Sequence, residues 1–518
     1  MADNIKAEKS GIFIRFINAV ERAGNKLPHP FFLFIYLAVI MLVLSFLMSG
    51  LSVTYTAAGS GGAEMKETTV VVKNLLTSEF ILSVLKNWTK TYINFAPLGL
   101  VMVMMLAIGF AQDTGLFDAF MKKTLLGAPA VIVTFALAIV GVCANIASNA
   151  GIVLGATLGA ALFSSLGRNP ILGALTGYAA AHGGFTANFF PTGTDALLAG
   201  ITKSAAAGMS IEAPSHPLIN YYFMFVSTFV VAIAITFVTE RIMPKVVKYG
   251  GIQKQIDQAV TEKENRGLRY AGIGLLIFIV CLLAMTIPDS GFLTAPDGSL
   301  LPKSPFIDSI VAILFIFFIV VGAAYGVGAG TIKTMADVPK FMGNGIKDSI
   351  SFYVIAFPAA LFIQFFNASK IADYVAINGA EILGALKFQG IPLAITFIIF
   401  TILCNLFMTS GSAKWLFLAP IFVPMFYHLG FTPALTQAAY RIGDSVSNPI
   451  APINYFLPIV LGIMNRYKRE EDPEFGLGTL ISYMLPYTIV MAVVLIALMI
   501  GWMMLGYPLG PGAELFVN

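Results

Sequence analysis

Charged side chains are scarce in this sequence, and their scarcity limits the kinds of protein that it can encode. Asp, Glu, Lys and Arg make up 11% of the 518 residues, whereas 58% are hydrophobic. Soluble domains carry about a quarter charged residues, so a water-soluble fold of this length would have too few charges to cover its surface. The apolar runs are continuous rather than alternating, which excludes a membrane β-barrel and favours helices that span a lipid bilayer.

Cysteine and histidine are rarer still, with three and four residues respectively. The three cysteines show no pairing pattern and the four histidines no ligand-like spacing, so the sequence predicts neither disulfides nor a metal site beyond a bound Na⁺. No nucleophile elbow, phosphate loop or zincin helix is present, so we expect no cofactor and no enzymatic activity. The net charge of +4 is small and lies in loops, which argues against a nucleic-acid partner. The three cysteines are Cys143, Cys281 and Cys404, and the four histidines are His29, His182, His216 and His428.

Nine apolar stretches are long enough to span a bilayer. Two further stretches, 129–167 and 390–430, are about twice that length and are interrupted at their centres by small and polar residues. Each is either a pair of full spans or a re-entrant hairpin whose polar tip stays inside the membrane, where irregular backbone must be buried or line a cavity. We predict hairpins, with tips at Ser148, Asn149, Ser410 and Gly411. The nine spans lie near 30–50, 95–112, 171–200, 218–238, 269–288, 306–326, 349–366, 433–462 and 478–506.

Positive charges in the loops predict the orientation of the chain. Residues 240–269 carry seven Lys or Arg and residues 333–347 carry three, whereas 203–216 and 290–305 carry one Lys each. Cytoplasmic loops are enriched in Lys and Arg, so the N-terminus is predicted to be cytoplasmic and the C-terminus external. The first apolar run is long enough to span and is followed by no small-residue cleavage site, so we expect it to be a permanent span of a multi-pass protein in a bacterial-type inner membrane.

The order of elements repeats along the chain. Segments 95–238 and 349–506 each contain a span, an amphipathic segment, an interrupted long stretch, a span broken by Gly and Pro, and a further span. Opposite orientations would make these an inverted repeat, whose halves enclose the site in many transporters; the alternative is that small residues simply pack the helices closely. The remaining parts are a cytoplasmic segment 1–29, a first span with an external loop 30–94, a central part with two connecting spans 239–348, and an external tail 507–518.

Ionisable residues inside spans are costly and usually functional. Arg441 and Asp444 are three residues apart and share a helix face. They form either a self-neutralising pair or, beside the helix-breaking residues 448–452, a cation site at Asp444 and a carboxylate contact at Arg441. Asn405 is either an oxygen ligand of that cation or a hydrogen-bonding group between helices.

Other polar or aromatic positions leave alternatives open. Trp415 either stacks on an aromatic substrate or is an ordinary buried residue, and it lies three residues after Ser412. His182 is expected to be a buried, hydrogen-bonded histidine. Asp195 and Asp444 are a conceivable aspartyl dyad, but such a dyad does not require two hairpins. A channel would need a ring of repeated pore residues, which two dissimilar halves supply poorly.

Six motifs are distributed along the chain, namely residues 25–30, 95–99, 412–415 (Ser-Ala-Lys-Trp), 419–425, 440–445 (Tyr-Arg-Ile-Gly-Asp-Ser) and 508–512. Together they resemble the p-aminobenzoyl-glutamate transporter (AbgT) family over nearly the whole chain. The resemblance implies a homodimer of nine-span subunits with two re-entrant hairpins. It also implies either transport of p-aminobenzoyl-glutamate-like aromatic carboxylates or export of sulfonamide antimetabolites, coupled to Na⁺ or H⁺. A Na⁺-coupled carrier of other small dicarboxylates is the alternative.

The same resemblance assigns candidate functional positions. Asn405 and Asp444 are the implied ion ligands, whereas Lys414 receives no role. The implied substrate-binding residues are Asp195, Ser412, Trp415, Pro433, Arg441 and Pro452.

Overall fold

Helices form almost all regular structure in the computed structural model, which describes residues 28–59, 63–126, 132–208, 211–214, 216–247, 260–287, 291–301, 304–470, 472 and 474–517. The predicted all-α class is confirmed apart from one antiparallel hairpin of β1 (Ser52–Gly59) and β2 (Ala63–Val71), which follows the first helix. The helices are α1 (Pro30–Leu47), α2 (Ser78–Lys86), α3 (Trp88–Ile93), α4 (Ala96–Asp113), α5 (Leu116–Leu126), α6 (Val133–Cys143), α7 (Ser148–Ser165), α8 (Pro170–Tyr178), α9 (Gly193–Ala207), α10 (Tyr221–Phe237), α11 (Met243–Val246), α12 (Glu262–Thr286), α13 (Pro305–Asp308), α14 (Ile310–Ala329), α15 (Asp337–Asp348), α16 (Ile350–Ala368), α17 (Ile371–Ala385), α18 (Gly390–Phe407), α19 (Gly411–His428), α20 (Pro433–Ser447), α21 (Leu457–Arg466) and α22 (Leu477–Leu505).

Eight of the described helices are long and apolar enough to cross a membrane. Seven of them match predicted spans, and the eighth is α18, the first arm of the second interrupted stretch. α12 packs against α14 and, near its start, against α5, and much of its remaining surface is apolar and exposed, as in a helix that contacts lipid. The outer helices therefore surround a core that the interrupted elements form.

The two remaining predicted spans are discontinuous, as their Gly and Pro residues indicated. The first consists of α8, a π-helical turn at Ala179–Gly183, irregular residues 184–192 and α9. The second consists of α20, a 3₁₀ turn at Asn448–Ile450, irregular residues 451–456 and α21. Both begin alike, with an N-capping side chain followed by a proline at the first helical position, which suits a residue without an N–H group.

The two interrupted long stretches fold back on themselves. In the first, α6 and α7 are joined by a 3₁₀ turn at Ala144–Ala147. In the second, α18 and α19 are joined by residues 408–410, and the ring of Phe397 lies 4.8 Å from that of Phe422 and 4.9 Å from that of Phe426. Hairpin 1 hereafter denotes α6 and α7, and hairpin 2 denotes α18 and α19.

Each broken helix places its second part against the other half of the molecule. α9 packs on α19 and α20, and α21 packs in the same way on α7 and α8. This exchange brings both hairpin turns and both helix breaks to the centre of the protein, where interrupted helices build the sites of many transporters.

Glycines let α7 and α8 approach backbone to backbone. A Cβ atom on Gly177 would lie 1.9 Å from the carbonyl oxygen of Gly155, and one on Gly173 would lie 2.1 Å from that of Gly159. Small residues four positions apart are typical of such close crossings in membranes. Small residues therefore determine how closely α7 and α8 pack.

A candidate substrate cavity between the hairpin turns and helix breaks

A cavity of about 470 Å³ lies where the two hairpin turns and the two breaks meet. Its size falls within the range of small-molecule sites, which are usually concave and largely preformed. Its wall combines aromatic rings, hydroxyl groups and a few charged groups. The lining includes Ala147, Ala150, His182, Phe185, Thr186, Thr194, Leu197, Phe352, Thr409, Ser410, Gly411, Ser412, Arg441, Asp444, Asn448, Asn454, Tyr455 and Phe456.

Arg441 reaches the cavity from α20 and pairs with the other half of the protein. Its Nη2 lies 2.6 Å from Oδ1 of Asp195, and both side chains are buried. The other carboxylate oxygen of Asp195 accepts hydrogen bonds from the backbone N–H and the hydroxyl of Thr192, at 2.6 and 2.8 Å. Thr192 and Asp195 form a capping box at the start of α9, where the helix dipole also favours a negative charge. Asp195 therefore holds Arg441 through an ion pair and does not itself line the cavity.

Asp444 pairs with a different cation. Its Oδ1 lies 2.7 Å from Nζ of Lys414, which extends from the first turn of α19. Both side chains are buried. The hydroxyl of Tyr440 donates a hydrogen bond of 2.5 Å to the carbonyl oxygen of Gly411, next to the same carboxylate. The turn of hairpin 2 is thus fastened to α20 by an ion pair and a hydrogen bond.

The hypothesis of a self-neutralising Arg441–Asp444 pair is wrong. The two residues do lie on one unbroken helix, but each pairs with a residue of another helix. Spacing along α20 determines which groups share a face, and the charges brought there by α9 and α19 determine the pairing. Two buried ion pairs result, and their charges cancel.

Asn405 joins the end of hairpin 2's first arm to the end of α20. Its Nδ2 lies within hydrogen-bonding distance of the Asp444 carbonyl oxygen at 2.9 Å, Ser447 Oγ at 3.0 Å and Asn448 Oδ1 at 2.8 Å. Its Oδ1 accepts a hydrogen bond from Nζ of Lys414. Asn405 therefore makes hydrogen bonds between helices, which is one of the two roles considered for it. Its amide oxygen accepts a hydrogen bond from the ammonium group of Lys414.

Trp415 lies behind the cavity wall. Its side chain is fully buried, and one ring face stacks on Tyr440 at a centroid distance of 4.4 Å. Its Nε1 donates to Thr202 at 2.9 Å, and Thr202 donates to Gln437 at 2.6 Å. The expectation that Trp415 offers a free face to a substrate ring is not met here, because its own neighbours occupy it.

The other expected positions divide into two groups. Ser410, Gly411 and Ser412 line the cavity at the turn of hairpin 2. Pro433 and Pro452 are buried away from it and act on the backbone, at the start of α20 and in the break after it. The side chains of Ser148 and Asn149 lie outside the described residues.

His182 lies at the first break, as a buried histidine with one partner. Its Nε2 contacts Nδ2 of Asn454, and its ring stacks with Tyr178 at 5.4 Å. This contact joins the two breaks, and no spacing in the sequence pointed to Asn454. Lys414 was visible as a charge in an apolar stretch, yet only the folded chain gives it a partner.

A largely apolar helical protein with two hairpins, two broken helices and a cavity between them has the architecture of a membrane transporter. The chain belongs to the family described as the "AbgT putative transporter family", whose model matches residues 15–517. It is 38% identical over 494 residues to the p-aminobenzoyl-glutamate transport protein of Escherichia coli K12, covering 95% of each chain. Its relatives are transporters, and the protein is not an enzyme.

Two solved structures are similar to the whole chain. The YdaH transporter of Alcanivorax borkumensis is 33% identical with a TM-score of 0.86, covering 93% of this chain and 100% of that one. MtrF of Neisseria gonorrhoeae, described as illuminating a class of antimetabolite efflux pumps, is 36% identical with a TM-score of 0.89, covering 96% of this chain and 100% of that one. The resemblance inferred from sequence motifs is confirmed.

Proposed function

We propose that the protein is a secondary active transporter of p-aminobenzoyl-glutamate-like aromatic carboxylates, driven by a gradient of Na⁺ or H⁺. The observation that carries the proposal is the state of Arg441 in the cavity wall. Its Nη2 contacts Asp195, whereas its Nε and Nη1 are buried and have no hydrogen-bond partner among the described residues. Buried donors are nearly always satisfied, so these two call for an acceptor. A substrate carboxylate is a strong charge-assisted acceptor for either donor, and it would approach along an edge that Nε or Nη1 shares with Nη2.

Aromatic side chains in the same wall support an aromatic substrate. Phe185, Phe352 and Phe456 line the cavity and provide apolar surface for a benzoyl ring. We propose that these rings, rather than Trp415, contact the substrate, and that Trp415 positions Tyr440 and the turn of hairpin 2. The likeness to the Escherichia coli transport protein supports the same substrate class, and the likeness to MtrF supports efflux of antimetabolites. We propose sulfonamides as the antimetabolites.

We further propose the arrangement in the membrane. Nine spans and two re-entrant hairpins would form an inverted repeat of 95–238 and 349–506, with the N-terminus cytoplasmic and the C-terminus external. The exchange of α9 and α21 between the halves supports the repeat. The family resemblance supports a homodimer in a bacterial-type inner membrane.

Binding to purified Arg441→Lys tests the substrate site. The lysine keeps the charge but loses the two-pronged donor, so affinity for p-aminobenzoyl-glutamate should fall about ten- to a hundred-fold, or about 1.5–3 kcal/mol. The matched control is Arg168→Lys, because Arg168 pairs with Glu240 at the surface and is absent from the cavity wall. Unchanged affinity in Arg441→Lys, measured by calorimetry, would contradict the proposed site.

Flux in proteoliposomes tests the coupling. Substrate uptake or release should respond to an imposed Na⁺ or proton gradient and should reverse with it. Flux that ignores both gradients would rule out secondary active transport.

A further inference from the structure

Three oxygen atoms surround the ammonium group of Lys414. Oδ1 of Asp444 lies 2.7 Å from Nζ, the carbonyl oxygen of Met408 lies 3.3 Å from it, and Oδ1 of Asn405 also accepts a hydrogen bond from it. These atoms come from three different segments: α18, the turn after it, and α20. A carboxylate, an amide oxygen and an unwound backbone carbonyl are the ligands that transporters offer to a bound alkali ion.

The helix dipoles also favour a cation at this point. α18 ends at Phe407, and the carbonyl of Met408 lies just beyond that end, where the dipole is negative. Lys414 belongs to the first turn of α19, at the positive end of its own helix, where its charge is disfavoured. Its side chain instead extends back to the carboxyl end of the preceding helix. The position of the ammonium group is therefore explained by the oxygen atoms around it.

The amide of Asn405 is oriented for this contact. Three acceptors surround Nδ2, namely the Asp444 carbonyl oxygen, Ser447 and Asn448. They leave Oδ1 facing Lys414, which is 1% exposed. An amide with its donors engaged in this way presents its oxygen to a cation as a fixed ligand.

We propose that the ammonium group of Lys414 is a tethered cation that takes the place of Na⁺ between Asn405, Met408 and Asp444. The proposal rests on the proposed transport function in one respect: it names the cation that occupies the site expected to bind the coupling ion. It disagrees with the expectation that Asn405 and Asp444 bind Na⁺, because the atoms that would hold the ion already hold Nζ. An added Na⁺ would also place a second positive charge beside a single buried carboxylate whose charge Lys414 already balances.

The tether gives hairpin 2 a permanent link to α20. A free ion joins such ligands only when it is bound, whereas Lys414 is always at hand. We therefore expect substrate binding and flux in the wild-type protein to be unchanged when Na⁺ is replaced by K⁺ or choline at equal ionic strength.

Thermal unfolding of the full-length protein in detergent tests the inference without any substrate. The melting temperature of the wild type should be the same in NaCl, KCl and choline chloride. Lys414→Met keeps a side chain of similar length and removes the charge, so Na⁺ should enter the vacated site. NaCl should then raise its melting temperature by about 2 °C or more above the value in KCl, because a ligand that binds the folded state stabilises it.

Two further variants make the result specific. Lys414→Met/Asp444→Asn lacks the carboxylate, so its melting temperature should not respond to Na⁺. Lys414→Arg keeps a tethered positive charge, so its melting temperature should not respond to Na⁺ either. Lys414→Gln replaces Lys414→Met if the latter does not fold. If neither folds, the wild-type comparison decides.

A Na⁺-specific stabilisation of the wild type would overturn the inference, because Na⁺ would then bind beside the lysine. A folded Lys414→Met protein that ignores Na⁺ would overturn it as well, since these oxygens would not then form a cation site. Neither result bears on whether p-aminobenzoyl-glutamate is transported, which the flux and Arg441→Lys measurements test separately.

Discussion

The two hairpins reach the same cavity, but they are attached to their broken helices in different ways. Hairpin 1 has no charged residue between 133 and 165, and its second arm meets α8 through contacts between glycine backbones. Hairpin 2 carries Lys414 and Trp415 in the first turn of α19 and contacts α20 through an ion pair, a hydrogen bond and stacked rings. Gly443 of α20 also lies against the backbone of Ile398 in hairpin 2, so both attachments use close glycine packing, and hairpin 2 adds the buried ion pair.

Charge is what distinguishes the two attachments. Backbone packing between α7 and α8 is insensitive to charge and to bound ions, so it suits a fixed scaffold. The contacts of hairpin 2 depend on the carboxylate of Asp444 and the ammonium group of Lys414. α20, which carries Asp444, also carries Arg441 in the cavity wall. Binding chemistry is thus concentrated where the second half meets α9.

Removing the carboxylate from hairpin 2's attachment should have the largest effect on stability. Asp444→Ala leaves Lys414 as an unpaired buried charge, and breaking such a pair costs about 3–5 kcal/mol. We expect a large fall in melting temperature in detergent, with most of it recovered in Lys414→Met/Asp444→Leu. Asp297→Ala, at an exposed loop residue, is the control. If the double variant is as unstable as the single one, the ion pair is not what holds this turn.

Adding a methyl group at the glycine contact between α7 and α8 tests the attachment of hairpin 1. Gly177→Ala would place a Cβ atom 1.9 Å from a backbone oxygen, so the helices must separate. Overpacking of this kind costs about 1–3 kcal/mol. Gly501→Ala is the control, because it lies within α22 with nothing near its Cβ position. Equal melting temperatures for the two variants would show that α7 and α8 tolerate a wider separation.

Trp415→Phe should have a smaller effect. The ring stack on Tyr440 is largely kept, but the hydrogen bond from Nε1 to Thr202 is lost, at about 0.5–1.5 kcal/mol. Aromatic and aliphatic carboxylates should lose affinity equally, if at all, in calorimetric titrations. A loss confined to aromatic ligands would place the indole in contact with the substrate and would restore the role first expected for it.

Labelling compares the two turns directly and should leave stability almost unchanged. Ala150→Cys and Ser412→Cys, each in a background without Cys143, Cys281 and Cys404, place thiols in the cavity wall next to the turns of hairpin 1 and hairpin 2. Both should react slowly with an impermeant reagent and be protected by substrate. Fast labelling at 150 that substrate does not affect would indicate that the first interrupted stretch crosses the membrane twice.

The sequence predicted the candidate site unevenly. Asp195, Asn405 and Asp444 stood out as polar groups in apolar runs, and the structure brings all three to the centre of the protein. Arg441 and Lys414 stood out as well, but the sequence did not indicate which charge pairs with which. Asp195 lies 246 positions before Arg441 in the numbering, and no local pattern relates two residues on different helices of different halves.

What the sequence determined by itself is local in origin. Apolar runs of sufficient length predict the spans, Gly and Pro interrupt them where backbone hydrogen bonds cannot continue, and the repeated order of both signals indicates two related halves. Tertiary structure alone decided which charge meets which, why Trp415 faces away from the cavity, and why Lys414 occupies the oxygen cluster beside Asp444. Buried charges pair with whatever opposite charge the packing brings within reach, because leaving either one alone in a low-dielectric interior costs more than any local preference can supply.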